Sequence, residues 1–395
     1  MSAPRPLDGI TVVSLEHAIA APFCTRQLAD MGARVIKVER PGVGDFARRY
    51  DERVRGQASH FIWTNRSKES LTLDLKKPEA GEIMQRLLAE ADVLVQNLAP
   101  GAAARLGLSF EALSARFPRL IVCDISGYGE GGPYQDKKAY DLLIQSESGF
   151  LSVTGTPEDP VKAGCSISDI AAGMYAYSGI LNALLLRGKT GRGSRIDVSM
   201  LESTVEWMGY PMYYAFEDAP PPPRAGAAHA TIYPYGPFPV GDGKTIMLGL
   251  QNEREWKVFC DQVLCQPGLA VDSRFESNSR RTANRDSLRQ LIVQAFATLT
   301  IDEVTDRLEA AQIANARVND MKGVWEHPQL KARDNWREID SPAGRIPSFL
   351  PPAHNNAFRP RMDAVPAVGE NTDAVLASLG YAPDDVARLH AAEVV

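Results

Sequence analysis

A single carboxylate, Asp169, lies among small residues at a point where a loop leads into an apolar helix. Glycines and small side chains fill the segment 163–176, so a substrate could approach the acid closely. Apolar residues recur at helical spacing from Ile170 to Leu184, which predicts that Asp169 lies in the first turn of a helix. Because the partial positive charge of a helix N-terminus favours an ionised acid, we expect a carboxylate that can act as a nucleophile.

The same segment also supports a purely structural interpretation. Ser166 and Asp169 have the spacing of a capping box, in which a serine and an acid bind exposed backbone N–H groups of the first helical turn. From these residues alone, both interpretations stay open.

The bulk properties limit the classes of protein to consider. A chain of 395 residues is too long for one ordinary core, so we expect two domains. The net charge of −6 argues against binding to nucleic acid or to an anionic membrane, and an anionic ligand would need local cations. Five scattered cysteines without a C-x-x-C pair predict reduced thiols, a cytoplasmic location and no metal site. We see no uncharged apolar run long enough to span a bilayer.

The first half of the chain alternates apolar strands with amphipathic helices. The strands that this pattern predicts are Ile10–Leu15, Arg34–Val38, Val93–Gln96 and Leu120–Ile125. Such a rhythm is typical of an α/β fold in which helices cover both faces of a parallel sheet. Ligands of these sheets bind beyond the carboxyl ends of the strands. The first strand lacks a following G-x-G-x-x-G motif, which argues against dinucleotide chemistry.

Proline-rich stretches suggest where the domains divide. We assign residues 1–210 to the N-terminal part of a large domain and 211–226, which holds four consecutive prolines, to a linker. Residues 227–330 are predicted to form a smaller mixed α/β domain. Residues 331–395 then provide a return linker and the C-terminal part of the large domain.

Several loop segments together resemble the class III CoA-transferases, the family of formyl-CoA transferase and carnitine CoA-transferase. The matching segments are 7–23, 35–45, 96–107, 127–133 and 368–381. They span nearly the whole chain in the family's order. The resemblance implies a Rossmann-like parallel sheet in a large domain built from N- and C-terminal parts, a smaller α/β domain and an interlocked homodimer. It also implies that the enzyme needs no cofactor or metal, since coenzyme A is itself a substrate.

The resemblance also assigns roles to individual residues. The family's nucleophilic aspartate corresponds to Asp169. Its CoA-contacting positions correspond to His17, Arg40, Leu73, Lys76, Asn97, Arg105, Lys138 and Tyr140. The four cations among them suit the phosphates of CoA. Read without the family, each cation is equally an ordinary surface charge, His17 a core histidine and Asn97 a turn residue.

The family mechanism moves CoA from an acyl-CoA donor to a free acid through an aspartyl anhydride and an aspartyl-CoA thioester. Oxyanion contacts would come from backbone amides near Gly164 or in the glycine loop 127–132. The stretch 248–253 lacks the glycine run of formyl-CoA transferase, which puts formate and oxalate in doubt. The region 224–236 looks like members that use succinyl-CoA and C4–C5 dicarboxylates such as itaconate, mesaconate, malate or citramalate.

A dicarboxylate has a second acid group that needs a partner. Arg48, Arg49, Arg66 or His229 could bind this distal carboxylate.

Two other functions stay open. Alpha-methylacyl-CoA racemases share the fold and an aspartate near position 169, but they use a histidine where this chain has the segment 138–141. A non-catalytic CoA-binding protein is the other alternative.

Overall fold

The alternating strands and helices of the first half build one parallel sheet. The computed structural model describes residues 3–395. The strands of this sheet are β1 (Thr11–Leu15), β2 (Arg34–Glu39), β3 (Lys68–Thr72), β4 (Val93–Gln96), β5 (Ile121–Ser126) and β6 (Arg195–Ser199). They lie in the order β3-β2-β1-β4-β5-β6, and all neighbouring strands are parallel. The chain therefore changes direction across the sheet between β1 and β4, where such folds open a ligand crevice.

Helices follow most of these strands and continue through the rest of the chain. In chain order they are α1 (Ala20–Asp30), α2 (Ser59–Thr64), α3 (Pro78–Glu90), α4 (Ala102–Arg105), α5 (Phe110–Ser114), α6 (Asp141–Glu147), α7 (Phe150–Val153), α8 (Ile167–Thr190), α9 (Met200–Trp207), α10 (Gly209–Tyr214), α11 (Glu253–Val258), α12 (Asn278–Ala283), α13 (Arg285–Phe296), α14 (Ile301–Ala310), α15 (Met321–Trp325), α16 (Pro328–Ala332), α17 (Thr372–Ser378) and α18 (Pro383–Ala391). Short 3₁₀ segments occupy Phe46–Arg49, Phe216–Asp218 and Pro267–Val271, and one π-helical turn spans Phe259–Val263.

The chain forms two compact units. The first contains the described residues up to Gly149 together with Ala163–Gly209 and Leu330–Val395, and the second contains Phe150–Lys162 and Tyr210–Gln329. A large domain built from N- and C-terminal parts is therefore present. Relative to our predicted boundaries, residues 150–162 and the proline-rich stretch 211–226 belong to the second unit.

Both faces of the parallel sheet are buried, because neighbouring residues of each strand point to opposite sides. Val13, Ile36, Leu94 and Val122 contact an apolar cluster that includes α3, α17 and α18. Val12, Val35, Val93 and Ile121 contact α1 and α8 on the opposite face. The segment 364–372 binds along β3, where Ser70 and Asn371 exchange hydrogen bonds. The C-terminal part thus covers an edge strand that would otherwise expose its backbone.

Helix α8 is the longest helix of the described chain, with 24 residues. Its mean hydropathy of 1.2 and its length would let it cross a membrane, in contrast to our expectation that no segment would. In this fold it packs against α1 and the sheet through Ala172, Ala176 and Ile180. Its apolar composition is thereby explained by the core of the first unit.

Three small antiparallel pairings complete the secondary structure. In the second unit, β7 (Tyr235–Pro239), β8 (Thr245–Gly249) and β9 (Ala314–Arg317) form a sheet over a core that includes Trp256 and Phe296. In the first unit, β10 (Trp336–Ile339) pairs with β11 (Ile346–Phe349). This mixed second unit agrees with the predicted smaller α/β domain. The interlocked homodimer stays a prediction.

A network of buried charges joins Glu16 after β1, Lys37 in β2, Asp45 after β2 and Lys68 at the start of β3. Lys37 donates to Asp45 at 2.8 Å and to Glu16 at 3.4 Å, and Lys68 donates to Glu16 at 2.7 Å. All four side chains are fully inaccessible to solvent. Burial opposes ionisation of Asp45 and Glu16, but the two lysines hold the pKa values of both carboxyls below their usual range. Burial lowers the pKa of Lys68 to about 8 despite the charge of Glu16.

This network predicts a large stability cost for breaking one of its pairs. Lys37→Met should destabilise the protein by about 3 to 5 kcal/mol, because it leaves the Asp45 carboxylate buried without its cation. Urea denaturation would measure this loss. The matched control is Lys189→Met, at an exposed position near the end of α8, which should change the free energy of unfolding by less than about 0.5 kcal/mol. A Lys37→Met protein as stable as the control would contradict the proposed role of the network.

Candidate active site

Asp169 lies in the first turn of α8, as the sequence predicts. The predicted capping box is absent, because the Ser166 side chain accepts no hydrogen bond from the helix. Instead, Asp141 Oδ1 accepts the backbone N–H of Ser168 at 2.8 Å. Within residues 3–395 no group hydrogen-bonds to the half-buried Asp169 carboxylate. The structural interpretation of Asp169 is therefore wrong, and its carboxylate is left unpaired at the protein surface.

The pKa of Asp169 moves in the direction opposite to our expectation. Burial raises it to about 7, and the negative charge of Asp141 adds to the rise. We expected the helix N-terminus to favour the ionised form. Desolvation together with the neighbouring carboxylate outweighs that effect, so the acid ionises only near neutral pH.

A close contact between α8 and α1 brings Asp169 towards the loop after β1. Gly173 lies one turn beyond Asp169, and a Cβ atom there would come within 2.7 Å of the Ala20 carbonyl oxygen. Only glycine permits this separation without a shift of backbone. The first residue of α1 is thereby held against the helix that carries the acid.

The loop after β1 is fixed by two side chains. Asn97 accepts the backbone N–H of His17 and donates to the carbonyl of the same residue, each at 2.9 Å. Asp45 accepts the N–H of Ala18, whose φ of 60° is unusual for a residue with a side chain. The carried-over positions His17 and Asn97 are therefore direct neighbours. Asn97 is more than a turn residue, since it holds the backbone of His17.

A row of aromatic rings extends from His17 towards the acid. The His17 ring stacks on Phe46 at 5.2 Å, and Phe46 contacts Tyr50 at 5.7 Å. Burial raises the pKa of Tyr50 to about 12, with further contributions from the charges of Asp45 and Asp169. The charge of Asp169 therefore acts on the Tyr50 hydroxyl, and so does that of Tyr140. Sequence reasoning missed Phe46, Tyr50 and Asp141, and only Asp141, directly after Tyr140, offered a signal by its position.

The four carried-over cations share one property. Their side chains are exposed, and none makes an ion pair or hydrogen bond with the part of the chain described; they are Arg40, Lys76, Arg105 and Lys138. Most of the buried cations of the first unit are, in contrast, bound to carboxylates. The four positions are thus available to an anionic ligand, and their role in binding CoA stays a prediction.

Leu73 differs from the other carried-over positions. Its side chain is buried in the core below β3, and its backbone N–H already donates to the Glu39 carbonyl at 2.8 Å. Contact with a ligand through its side chain is therefore excluded, which leaves only its carbonyl oxygen.

The glycine loop after β5 does not form a phosphate cradle. The N–H groups of Gly129, Glu130 and Gly131 are donated to Ser126, Asp197 and Gln135, respectively. The loop also borders a cleft of about 320 Å³ whose lining includes Glu111, Asp124, Asp136 and Asp197. These acids would repel phosphates. The loop is therefore a poor source of oxyanion contacts, whereas the exposed backbone N–H of Gly164 stays free among residues 3–395.

Comparison with known proteins identifies the family of this chain. Residues 7–372 match the CoA-transferase family III. The chain belongs to this family. A human protein named succinyl-CoA:glutarate CoA-transferase is 32% identical over 401 residues, which cover 100% of this chain and 91% of the relative. An Acetobacter aceti acetyl-CoA:oxalate CoA-transferase is 36% identical over 83% of this chain and 85% of its own length.

Solved structures include a CAIB/BAIF family protein from Brucella suis with the same fold. Its TM-score is 0.85 and its identity 33%, with 95% of this chain and 100% of that chain covered. The protein is therefore an enzyme of the class III CoA-transferase family, with the α/β architecture that the sequence predicts.

Two of the arginines predicted to bind the substrate of this CoA-transferase already form ion pairs with carboxylates of the protein. Arg48 forms a two-point ion pair with Glu39, donates to the Pro366 carbonyl and lies 3.7 Å above the Phe61 ring. Arg66 pairs with Asp30 in the same way, also binds β11 and is only 3% exposed. The structure thus contradicts their assignment as substrate-binding residues, because their guanidinium groups stabilise the fold.

The other two candidates keep free polar groups. Arg49 is exposed and has no ion-pair partner in the chain from residue 3 onwards, and its neighbours are Phe46 and Tyr50 on the same short 3₁₀ segment. His229 belongs to the second unit, where its ring stacks on Tyr235. Its Nδ1 accepts the N–H groups of Thr231 and Ile232, at 3.2 and 3.0 Å, which leaves Nε2 as the ring nitrogen available to a ligand. The role of His229 in binding a distal carboxylate stays a prediction.

The raised pKa of Asp169 predicts a pH-dependent gain in stability on removing its charge. The folded protein binds this proton up to about pH 7, whereas the unfolded chain releases it near 3.8, so wild-type stability falls as the pH rises towards 7. Asp169→Asn removes this effect. Its advantage over wild type should be about 2 to 3 kcal/mol larger at pH 8 than at pH 5, as measured by chemical denaturation.

A matched control for this measurement is Asp384→Asn. Asp384 also lies in the first turn of a helix, α18, but it is exposed. Its substitution should give the same stability difference at both pH values. A pH-independent effect of Asp169→Asn would show that the Asp169 pKa is not raised.

Proposed function

We propose that this enzyme transfers coenzyme A from succinyl-CoA to a C4–C5 dicarboxylate through covalent intermediates on Asp169. The observation that carries this proposal is the Asp169 carboxylate itself, half-buried, unbonded and beside the loop of His17. A carboxylate held for a structural purpose would be expected to pair with an N–H group or a cation.

The first half-reaction exchanges the acyl group and the thiol on Asp169. A carboxylate oxygen attacks the thioester carbonyl of the donor, the C–S bond breaks, and an aspartyl anhydride and CoA thiolate form. The thiolate then attacks the aspartyl carbonyl of the anhydride and releases succinate. The product of this half-reaction is an aspartyl-CoA thioester.

The second half-reaction repeats these steps with the acceptor acid. Its carboxylate attacks the aspartyl thioester and releases the thiolate, which attacks the acceptor side of the new anhydride and regenerates Asp169. No proton or electron is consumed overall. Each attack creates an oxyanion, and the Gly164 N–H is our candidate donor for it.

The raised pKa favours the attacking steps of this mechanism. A carboxylate whose ionised form is destabilised by burial is a stronger base and a better nucleophile than a carboxylate in water. The cost is that part of the enzyme is protonated at pH 7, so kcat/KM should rise with pH through about 7.

Substrate binding is proposed to use two sets of groups. The exposed cations Arg40, Lys76, Arg105 and Lys138 would pair with the phosphates of CoA. Arg49, at the end of the 3₁₀ segment that begins at Phe46, would bind the distal carboxylate of the acceptor. The human relative's name supports a five-carbon diacid such as glutarate, whereas the Acetobacter relative's name makes oxalate the alternative acceptor.

A panel of acceptor acids tests this function and the role of Arg49. The acids are glutarate, itaconate, mesaconate, malate, citramalate, oxalate, acetate and butyrate, each with succinyl-CoA, and new thioesters are detected by mass spectrometry. We expect transfer to the C4–C5 diacids. Arg49→Gln should raise their KM about 10- to 100-fold, since it removes one charge-assisted hydrogen bond, and leave the KM of butyrate unchanged.

Arg53→Gln is the matched control, because Arg53 is an exposed arginine only four residues further along the chain. It should leave every KM unchanged. Transfer to oxalate alone would contradict the proposed acceptor class, and α-epimerisation of a branched acyl-CoA without transfer would favour the racemase alternative. Equal effects of Arg49→Gln on diacids and monoacids would contradict the role of Arg49.

A further inference from the structure

A fully buried glutamine, Gln145, lies beneath the loop that leads to Asp169. It belongs to α6 and has no exposed surface. Both ends of its amide are used, because Nε2 donates to Asp141 Oδ2 at 2.7 Å and Oε1 accepts the backbone N–H of Ala163 at 2.9 Å. A buried amide with both of these bonds is stable, whereas either bond lost would leave a polar atom without a partner.

These bonds connect the two ends of the loop 163–168. Ala163 is its first residue, and the loop ends at Ser168, whose N–H binds the other oxygen of Asp141. Gln145 therefore binds the start of the loop directly, at Ala163. It contacts the end of the loop indirectly, because it binds Asp141, which in turn binds Ser168. The carboxylate of Asp169, which follows Ser168, has no hydrogen bond to a group of residues 3–395, so its orientation depends on how the start of α8 is held.

We propose that Gln145 is a positioning residue for Asp169, which fixes Asp141 and the backbone of Ala163 so that the loop 163–168 presents the carboxylate in one geometry. This inference rests on the function proposed above. Gln145 touches neither substrate nor reacting atoms, so it acts only through Asp141 and the loop.

The charged and titratable groups whose fields reach Asp169 define the expected pH effects. Asp141 acts from α6, and Tyr50 acts from the segment after β2. A carboxylate at position 145 would add one more group. It would face Asp141 at the distance of the present hydrogen bond, and two carboxyls so close must share a proton or repel each other.

Two substitutions separate positioning from simple loss of structure. Gln145→Met keeps the volume and removes both hydrogen bonds. It should lower kcat for succinyl-CoA-dependent transfer about 10- to 100-fold, since small misplacements of a reacting group have effects of this size, and leave the KM for succinyl-CoA within about twofold. Gln85→Met, in α3 on the other face of the sheet, is the matched control and should match wild type.

Gln145→Glu gives the sharper test, because its defect should depend on pH. When the new glutamic acid is protonated, it can still donate to Asp141 and accept from Ala163. Its kcat/KM should therefore be within about threefold of wild type near pH 6 and fall about 10-fold or more at pH 8.5, where the two carboxylates repel. The kcat/KM of the wild type should instead rise through about pH 7 and then stay level up to pH 8.5.

A stability measurement, which needs no catalytic turnover, tests the role of Gln145 independently of the proposed function. The difference in melting temperature between each background and its Asp169→Asn derivative, followed against pH, reports the titration of Asp169. In the Gln145→Met background its apparent pKa should fall by about one unit, because Asp141 is no longer held at the helix. Failure of the wild type to transfer CoA would overturn the function, but not this readout.

Gln145 would be overturned as a positioning residue by either of two results. One is a folded Gln145→Met and Gln145→Glu pair with wild-type kcat and pH profiles. The other is a loss of activity that only follows the loss of folded protein, with the Asp169 titration unchanged.

Discussion

The interaction of two carboxylates, one on α6 and one on α8, determines the electrostatics of this site. Asp141 of α6 accepts the N–H of Ser168 in the first turn of α8, and the carboxylate of the next residue, Asp169, has no partner among residues 3–395. The charge of Asp141 and the burial of Asp169 raise the pKa of Asp169 to about 7. The fold thus stabilises one acid through a backbone hydrogen bond and leaves the other poorly solvated, which makes Asp169 more basic than an acid in water.

Keeping such an acid in place requires support from several other parts of the first unit. Gly173 lets α1 approach α8, and Asn97 and Asp45 hold the loop that contains His17. Asp45 in turn depends on Lys37, which is buried with it below the strand ends. A buried ion network is a costly way to fix a loop, because each charge gives up its hydration. Here it holds Asp45, which accepts the N–H of Ala18 in the loop after β1.

Much of this architecture follows from patterns in the sequence. The strands before the crevice, the helix after Asp169 and the family resemblance could all be read directly, because apolar periodicity and loop motifs are local signals. Strands β3 and β6 have no such signal, because charged residues interrupt their apolar runs. These residues are Lys68 and Glu69 in β3, and Arg195 and Asp197 in β6. Residues 240–244 illustrate the same difficulty, because an apolar start leads there into a turn, in which Val240 donates to the carbonyl of Lys244, and β8 begins at Thr245.

The site illustrates the same limit. Arg48 and Arg66 carry the right charge for a substrate, but sequence alone does not show that Glu39 and Asp30 already neutralise them. The direction of the Asp169 pKa depends on Asp141, 28 residues earlier in the chain, and such a contact has no local signal. Positions and residue types could be predicted, whereas the partners that decide their charge state could not.

Chemical trapping of the covalent intermediate tests the central claim most directly. The enzyme is incubated with succinyl-CoA in the absence of an acceptor acid, treated with hydroxylamine or borohydride, digested and examined by mass spectrometry. Our account predicts a hydroxamate or a reduced alcohol at Asp169, formed only when succinyl-CoA is present. Transfer that proceeds while Asp169 stays unmodified, or an adduct at another residue, would contradict it.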